Sequence, residues 1–377
     1  MAIREIHERV HDGPGQTGHR LTMARELATR VFSSVSELPA TYLALFDAVG
    51  RENFYLSLPW FENLLDATLE PTQALRLYGI EGAEDGVAHA VLVARISTTG
   101  RTRLLEGFTS PYTTDFGLVA KPENACNAEV IEALATALAA DRDSFDSLRI
   151  DCLNWDADTC STFARALGAR RFVAESHFHF GNWYGEFSGL DFATYRRSLP
   201  SALRRLYNRI GRSDGPSFRL VTDAAQLDVE IAEYERLSLL RWGYAEPHER
   251  FIAGLVHAAH KSGVLRFAVL EFEGERVASQ IWIVAGGRAT IFKLAHNPDF
   301  KRSFGSTCTI ALMEHVLEVD GVHEVDYGRG DDDYKKTWLP LRRERWAVTA
   351  ANPTTLRGAG LSTKLLSIKA AKKILKR

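Results

Sequence analysis

One order of predicted elements occurs twice along this chain, and this repeat constrains the fold more than any other feature. Each copy has three short strands separated by glycine-containing turns, then a helix, then one further strand. The first copy has strands at 75–80, 87–96, 101–107 and 148–153 and a helix at 125–140; the second has strands at 265–272, 276–284 and 288–295, a helix at 307–319 and a strand ending at 326. We therefore predict an α/β (α+β) protein with two similar halves, each a mixed, mainly antiparallel sheet flanked by helices.

Length and composition fit two globular domains. We place them at residues 31–185 and 186–350 of the 377-residue chain. Residues 1–30 are polar, with a glycine-rich patch at 12–18, and are predicted to form a mobile tail. Hydrophobic content of 45%, charged content of 25% and a formal net charge of −2 are ordinary for a soluble protein and do not indicate a general nucleic-acid binder.

The cysteines and histidines do not indicate a metal site. The cysteines form no C-x-x-C pair, which favours free thiols in a reducing cytosol; they are Cys126, Cys152, Cys160 and Cys308. His177 and His179 share one side of a predicted strand, but no third ligand lies near them in the sequence. The N-terminus lacks the apolar core of a signal peptide, and no apolar run approaches the roughly 20 residues of a membrane span. We expect a cytoplasmic protein without a metal.

Residues 322–338, VHEVDYGRGDDDYKKTW, place many ionisable groups at the end of a predicted strand. The chain breaks at Gly328 and Gly330, which permit backbone angles that most residues avoid. Many α/β enzymes present catalytic groups at such strand ends. The alternative is an ordinary strand–turn–helix junction, in which an aspartate caps a helix that starts near Tyr334.

The pattern Asp-x-Gly-x-Gly followed by Tyr-Lys-x-x-Trp falls at Asp326, Gly328, Gly330, Tyr334, Lys335 and Trp338. It resembles the closing motif of the GNAT-fold acyltransferases grouped with the CelD cellulose-biosynthesis proteins. These proteins are similar to the FemAB-type aminoacyl transferases, which contain two GNAT-like domains in tandem. The resemblance implies that 186–350 is the catalytic domain and 31–185 a degenerate copy.

A second family motif precedes the predicted helix at 307–319. The GNAT fold holds the donor pyrophosphate with unpaired backbone N–H groups at a helix start, where the helix dipole is positive. The family pattern is Arg/Gln-x-x-Gly-x-Gly/Ala, and the corresponding donor-binding residues are Arg302, Ser303, Gly305, Ser306 and Thr307. Thr307 replaces a smaller residue and narrows the room for a phosphate. The alternative is simple helix capping by Ser306 or Thr307.

The resemblance implies transfer of an acyl group from acyl-CoA to an amine. A free lysine-like amine has a pKa of roughly 10.4 and must lose a proton before it attacks. We assign Asp326 as the base, directly or through a water, with one of Asp331–Asp333 in reserve. Lys335 is expected to hold a phosphate or the oxyanion, as the matching lysine is thought to do in FemAB-type enzymes. Tyr334 is expected to protonate the leaving group or to stack on a substrate.

Other residues are candidates for substrate contacts. The segment 192–212 carries six arginines and no acid, with its leucines on one helical face. It is either a solvated helix or an anion site for donor phosphates. The loop at 109–117 either lines an acceptor cleft or is an ordinary loop, and Trp242 either packs on the sheet or contacts a ligand. The predicted substrate-binding residues are Arg204, Arg205, Trp242, Tyr112, Asp331 and Trp338.

Residues 351–377 are predicted to form a basic amphipathic tail. Its part 361–377 has six lysines and arginines and no acid, so it either contacts the inner face of a membrane or is a frayed helix. The function implied by the resemblance is N-acyl transfer from acyl-CoA, such as acetyl-CoA, to a small-molecule or envelope-precursor amine in cell-envelope or exopolysaccharide biosynthesis. The alternatives are a FemAB-type transferase that uses aminoacyl-tRNA, and a non-catalytic GNAT-like scaffold of a polysaccharide assembly.

Overall fold

The computed structural model describes residues 26–300 and 302–375. The first half contains β1 (Leu27–Phe32), α1 (Ala40–Glu52), α2 (Leu58–Thr68), β2 (Gln73–Gly82), β3 (Ala88–Thr99), β4 (Thr102–Gly107), β5 (Val119–Ala120), α3 (Pro122–Ala125), α4 (Ala128–Ala140), β6 (Ser147–Leu153), α5 (Ala157–Ala169) and β7 (Val173–Glu186). The second half contains α6 (Phe192–Ser198), α7 (Ser201–Tyr207), β8 (Ser217–Leu220), α8 (Leu227–Trp242), α9 (Phe251–Lys261), β9 (Leu265–Phe272), β10 (Glu275–Ala285), β11 (Arg288–His296), α10 (Phe304–Glu318), β12 (Glu324–Asp326), β13 (Leu341–Ala351) and α11 (Leu356–Leu375).

A single mixed sheet runs through both halves. Its strand order is β1-β2-β3-β4-β6-β13-β7-β12-β11-β10-β9-β8, and β5 pairs with β3. The last strand, β13, lies between β6 and β7, while β7 also pairs with β12. Two strands therefore join the halves: β13, the last strand of the chain, and β7, which lies at its middle.

Each half contains one short parallel pair of strands, at the same place in its element order. In the first half β4 pairs with β6 over three residues, and in the second half β11 pairs with β12 over three residues. Beyond these pairings the strands separate, since β6 continues beside β13 while β11 continues beside β10. A wedge opens between the diverging strands of each half.

The wedge of the first half is filled by its own chain. We call residues 108–117, the segment that follows β4, the plug. Phe116 of the plug forms a bridge with Leu153 at the end of β6 and is fully buried. The plug packs so closely that a Cβ added at Gly107 would lie 2.7 Å from the Phe116 ring. The wedge of the second half, by contrast, opens into a cleft.

The two faces of the sheet in the second half carry separate cores. Along β9, Phe267 and Val269 belong to one core, while Ala268 and Leu270 belong to the other, as the alternation of a strand requires. The first core is continuous with that of the first half and includes residues of α1, α2, α4, α5, α8 and α9. The second core includes residues of α6, α7 and α10. Both faces of the second wedge are thus held by packed helices.

The repeated meander, helix and strand are confirmed, with boundaries that shift by a few residues. Most of the predicted N-terminal tail, residues 1–25, lies outside the described residues, and β1 begins within the rest of it because Leu27–Phe32 pairs with β2. A single helix over 192–212 is wrong. Pro200 divides it into α6 and α7, because a residue before proline, here Leu199, avoids the helical conformation.

Over 26–300 and 302–375, no helix has both the length and the apolar character needed to cross a membrane.

Candidate active site

The wedge between β11 and β12 opens into a cleft of about 420 Å³. One wall is the part of β11 that has left its parallel partner, and the opposite wall is the chain that follows β12. The plug of the first half and the C-terminal end of α8 close the remaining sides. The aromatic and ionisable lining residues are Tyr112, Tyr234, Trp242, Tyr244, Glu246, Phe292, Lys293, Tyr327, Arg329, Asp332, Tyr334 and Lys335.

A β-bulge in β11 directs two successive side chains into the cleft. Ile281 of β10 pairs with Lys293, but the next residue, Trp282, pairs with Ile291, so Phe292 is an extra residue. Bulges interrupt the alternation of sides and are frequent next to active sites. Phe292 and Lys293 consequently both line the cleft.

The turn after β12 is held in shape by a buried lysine. Gly328 and Gly330 have φ values of +67° and +106°, which few residues other than glycine adopt. Lys335 Nζ donates to the carbonyl oxygens of Arg329 at 2.7 Å and Gly330 at 3.2 Å, and pairs with Asp332 Oδ2 at 3.3 Å. The ammonium group has three hydrogens, so these contacts use all of them.

These contacts argue against the phosphate or oxyanion role predicted for Lys335. The residue lines the cleft, but its side chain is buried, and a substrate oxygen would have to displace one of its partners in the turn. Burial lowers the pKa of Lys335, and the charge of Asp332 offsets part of that effect. Lys335 acts in this structure as a clamp for the turn.

The structure corrects the role predicted for Asp326. Its carboxylate is buried behind the cleft, where Oδ1 accepts hydrogen bonds from Asn182 Nδ2 and the Gly328 N–H, both at 2.7 Å. Oδ2 is ion-paired with Arg343. Burial raises the pKa of Asp326, but the charges of Arg343 and Arg345 and the Asn182 hydrogen bond outweigh it, so this pKa lies below its ordinary value. Both oxygens of this buried carboxylate are thus already engaged, and Asp326 is not among the residues that line the cleft.

Of the reserve aspartates, Asp332 alone lines the cleft. Asp331, predicted to bind substrate, instead receives two guanidinium nitrogens of Arg342 at 2.7 and 3.0 Å. Asp333 pairs with Lys336 at 2.6 Å and its side chain is 90% exposed. Of the three adjacent aspartates, Asp332 is therefore the one that remains a candidate base.

Glu246 is a second acidic residue in the cleft, and sequence reasoning missed it. It lies in the connection between α8 and α9, where no motif marks it. Its two oxygens lie 2.7 and 2.9 Å from Nζ of Lys293, whose ammonium also lies 4.8 Å from the centroid of the Tyr112 ring. The only available signal was the clustering of an acid with aromatic residues at 242–246.

Tyr334 stands at the mouth of the cleft. It is half exposed, and its ring packs edge-on against Tyr327 at 5.6 Å between centroids. Partial burial and the charge of Asp332 raise the pKa of the Tyr334 phenol. The phenol therefore keeps its proton at neutral pH, which is the state a proton donor requires.

The start of α10 is open to an anion. Ser303, which precedes the helix, makes no capping hydrogen bond with its side chain. The alternative of capping by Ser306 or Thr307 is wrong, since both lie inside the helix and the Thr307 hydroxyl donates to the Ser303 carbonyl at 3.0 Å. The Thr307 side chain is buried, so its bulk is directed into the protein and does not narrow the helix start.

The helix start and the cleft are neighbours. A Cβ at Gly305 would lie 3.0 Å from Nδ1 of His296, the last residue of β11, so α10 approaches that strand closely. Burial and the charge of Arg241 lower the pKa of His296, and Arg241 also acts on Tyr334. The predicted donor residue Arg302 instead stacks over Phe272, 4.4 Å from its ring centroid.

Comparison with known proteins agrees with this geometry. Residues 196–336 match the family model described as an acetyltransferase (GNAT) domain. FemX aligns over 84% of this chain and 96% of its own, with 13% identity and a TM-score of 0.60. A tandem GNAT protein from the clavulanic acid biosynthesis pathway aligns over 87% of this chain and 99% of its own, with 14% identity and a TM-score of 0.51. No curated protein matches the sequence.

The chain has a tandem GNAT fold. At these identities the two structures establish the fold alone. The finer resemblance to CelD-like proteins stays a prediction.

The predicted substrate contacts divide into two groups on the GNAT fold. Tyr112 and Trp242 line the cleft. Trp338 is buried in the second core, and its carbonyl accepts a hydrogen bond from Tyr195. Arg204 and Arg205 lie on α7, which is attached to the later part of α10 through Tyr207 and Glu314, so the structure does not bring them to the cleft.

No group of three or more histidine, cysteine, aspartate or glutamate side chains is placed to hold a metal ion in the described part of the chain. His179 accepts a hydrogen bond at Nδ1 from the Cys152 N–H at 3.0 Å, which occupies one of its ring nitrogens.

Proposed function

We propose that this protein transfers an acyl group from an acyl-CoA thioester to an amine in the cleft of its second half. The observation that carries the proposal is the difference between the two wedges. The first is filled by Phe116, whereas the second is open, lined with ionisable groups and adjacent to an uncapped helix start.

The donor phosphates would bind at the start of α10. Unpaired N–H groups and the positive end of the helix dipole favour an anion there. The positive charge of Arg241 acts on both His296, which lies against this helix start, and Tyr334. A thioester whose phosphates lie at Gly305 would then extend along β11 toward the bulge at Phe292, into the cleft.

Two side chains in the cleft suit the proton transfers. The amine nitrogen attacks the acyl carbon and loses a proton. We assign Asp332 as the base that accepts this proton, directly or through a water. The carbon–sulfur bond breaks, and the leaving thiolate takes a proton from the Tyr334 phenol. Glu246 is the competing candidate for the base; both carboxylates are paired with a lysine, but Asp332 is the more exposed and has the longer contact, 3.3 Å to Lys335 against 2.7 Å from Glu246 to Lys293.

Thiol release from acyl-CoAs of increasing chain length, with and without a panel of amines, tests the proposal. We expect Asp332→Asn and Tyr334→Phe each to lower kcat by about 100-fold. The matched control is Asp333→Asn, which removes an exposed carboxylate beside the site and should change kcat less than twofold. A larger loss in Glu246→Gln than in Asp332→Asn would transfer the role of base to Glu246.

Ligand-induced stabilisation gives an independent check. A donor at about 100 times its dissociation constant should add roughly 2.7 kcal/mol to the free energy of unfolding. Failure of every acyl-CoA to raise Tm at millimolar concentration would contradict CoA dependence.

A donor of the aminoacyl-tRNA type is the second candidate, and the surface of α6 and α7 favours it. Arg197, Arg204, Arg205 and Arg212 are exposed there, and none of them pairs with an acid among the described residues. Arginine forks suit a phosphate backbone. Salt-dependent tRNA binding that is lost in Arg204→Gln/Arg205→Gln, together with no response to acyl-CoA, would favour this donor.

We further propose a cell-envelope or exopolysaccharide precursor as the source of the amine, on the basis of the CelD-like motif and the fold shared with FemX.

A further inference from the structure

The charges of the cleft leave one cation without a partner. Five acidic or basic side chains line the cleft: Glu246, Lys293, Arg329, Asp332 and Lys335. Glu246 pairs with Lys293 at 2.7 Å, and Asp332 pairs with Lys335 at 3.3 Å. The remaining residue, Arg329, has no aspartate or glutamate within ion-pair distance among the described residues, and its neighbours are all neutral groups.

The guanidinium of Arg329 is positioned but not saturated. Its centre lies 5.0 Å from the centroid of the Phe180 ring. Nη1 makes two long contacts, at 3.5 Å to the Ser110 carbonyl and 3.6 Å to the Cys152 sulfur. A guanidinium carries five N–H donors, so most remain available to a ligand.

The backbone of Arg329 is fixed independently of its side chain. The residue lies between Gly328 and Gly330, which both have positive φ angles, and its carbonyl oxygen accepts the 2.7 Å hydrogen bond from Lys335. The turn therefore presents the guanidinium to the cleft at a defined place. Such preorganisation lowers the entropic cost of binding.

Arg329 faces the side of the cleft away from the donor. Its contacts are to Ser110 of the plug, Cys152 of β6 and Phe180 of β7, which all belong to the first half. The start of α10 lies instead against His296 of β11, in the second half. With the donor at its proposed site on α10, the side of Arg329 is left for the acceptor.

We propose that the acceptor carries, besides its amine, an anionic group that binds Arg329. This inference rests on the proposed function and specifies its substrate class. The anion is a carboxylate or a phosphate, because the planar fork of an arginine pairs with either by two parallel hydrogen bonds. A neutral amine would leave the free N–H donors of the exposed Arg329 guanidinium without a partner on the ligand.

Paired amines that differ only in the anion test this inference. Alanine and alaninamide differ by a carboxylate, and glucosamine 6-phosphate and glucosamine differ by a phosphate. We expect wild-type protein to prefer one anionic member in kcat/KM and to gain thermal stability from it. Arg329→Gln should lose about 10- to 100-fold in kcat/KM for that member and less than threefold for its neutral partner.

Arg329→Lys should recover part of the preference, since it restores the charge but not the fork. The control is Arg101→Gln, which changes an exposed arginine in the turn between β3 and β4 and should leave both members of each pair unaffected. The pair that responds identifies the anion as carboxylate or phosphate.

The outcomes separate this inference from the proposed function. Stabilisation by an anionic amine that is lost in Arg329→Gln, without turnover of any amine, would support the anion site and refute the transferase. Turnover with equal preference for both members would support the transferase and refute the anion site. An anionic preference that survives Arg329→Gln, or no stabilisation by either anionic amine at 10 mM, would also overturn the inference.

Discussion

At the scale of single residues, the site depends on a buried group of charges that does not touch the cleft. Asp326 is surrounded by Arg343, Arg345 and Asn182, and Arg345 also lies 3.4 Å from Asp115 of the plug. Arg343 and Arg345 belong to β13, Asn182 to β7 and Asp115 to the plug. The carboxylate of Asp326 therefore fixes the turn at Gly328 relative to both halves, instead of moving a proton.

Asp326→Asn should lower the free energy of unfolding by about 3 kcal/mol at pH 7, because it removes a buried carboxylate that pairs with Arg343 and leaves that arginine with Glu324 as its one acidic partner among the described residues. The pKa of Asp326 is depressed in the folded protein, so its stabilising effect is complete above the unfolded value of about 3.9 and is lost as pH falls below it. Urea unfolding should show a constant difference from wild type between pH 7 and 5 and a smaller one below about pH 4.

Asp333→Asn is the control, since it breaks an exposed ion pair and should change stability by less than about 0.5 kcal/mol. Full stability of Asp326→Asn combined with a large loss of kcat would restore the catalytic role predicted from the sequence.

The motif located the turn but could not assign its side chains. Tyr334, Lys335 and one of the three aspartates do reach the cleft. The roles of Asp326 and Lys335 were misjudged because they depend on partners that the motif does not contain, such as Asn182, which is 144 residues away from Asp326. Glu246 was missed for the same reason, since its partner Lys293 is 47 residues away.

At the scale of elements, local sequence rules predicted more of the structure than they did for single side chains. Glycine turns and alternating strands fix the two meanders over short distances, and they were predicted almost to their ends. The position of β13 between β6 and β7 was not predictable, because strand order across a sheet is set by contacts distant in sequence. The packing of the plug could not be predicted from the sequence either, because the burial of Phe116 depends on the gap between β4 and β6.

At the level of elements, we predict that the helix α11 binds anionic membrane surfaces. Residues 356–377 contain seven lysines and arginines and no acid, while the whole chain has a net charge of −2. Its first part packs on the protein through Gly358 and Ser362, and Leu366 is exposed. We expect wild-type protein to sediment with liposomes that contain anionic lipids and not with purely zwitterionic ones.

Deletion of 356–377 should abolish that sedimentation, and 0.5 M salt should weaken it strongly, because the attraction to the surface is screened. Equal sedimentation of the full chain and the deletion variant would remove α11 as the membrane contact.

At the scale of the whole molecule, the two halves form one folding unit. Strand β13 pairs with β6 and β7, and β7 in turn pairs with β12. Residues of α8 and α9 belong to the same core as those of α1 and α2, and Tyr112 stacks on Phe251 across the halves at 4.0 Å between ring centroids. Neither half can complete its sheet alone.

Truncation after residue 340 is therefore expected to unfold both halves. It removes the strand between β6 and β7 and exposes two unpaired edges in the middle of the sheet. Truncation after residue 355 is the matched control, since it removes α11 but keeps β13, and should retain a cooperative thermal transition. Circular dichroism and proteolysis of both variants would measure this. A truncation at 340 that kept the first half folded and protease-resistant would show instead that the halves are independent, and that the plug is held in its wedge without the last strand.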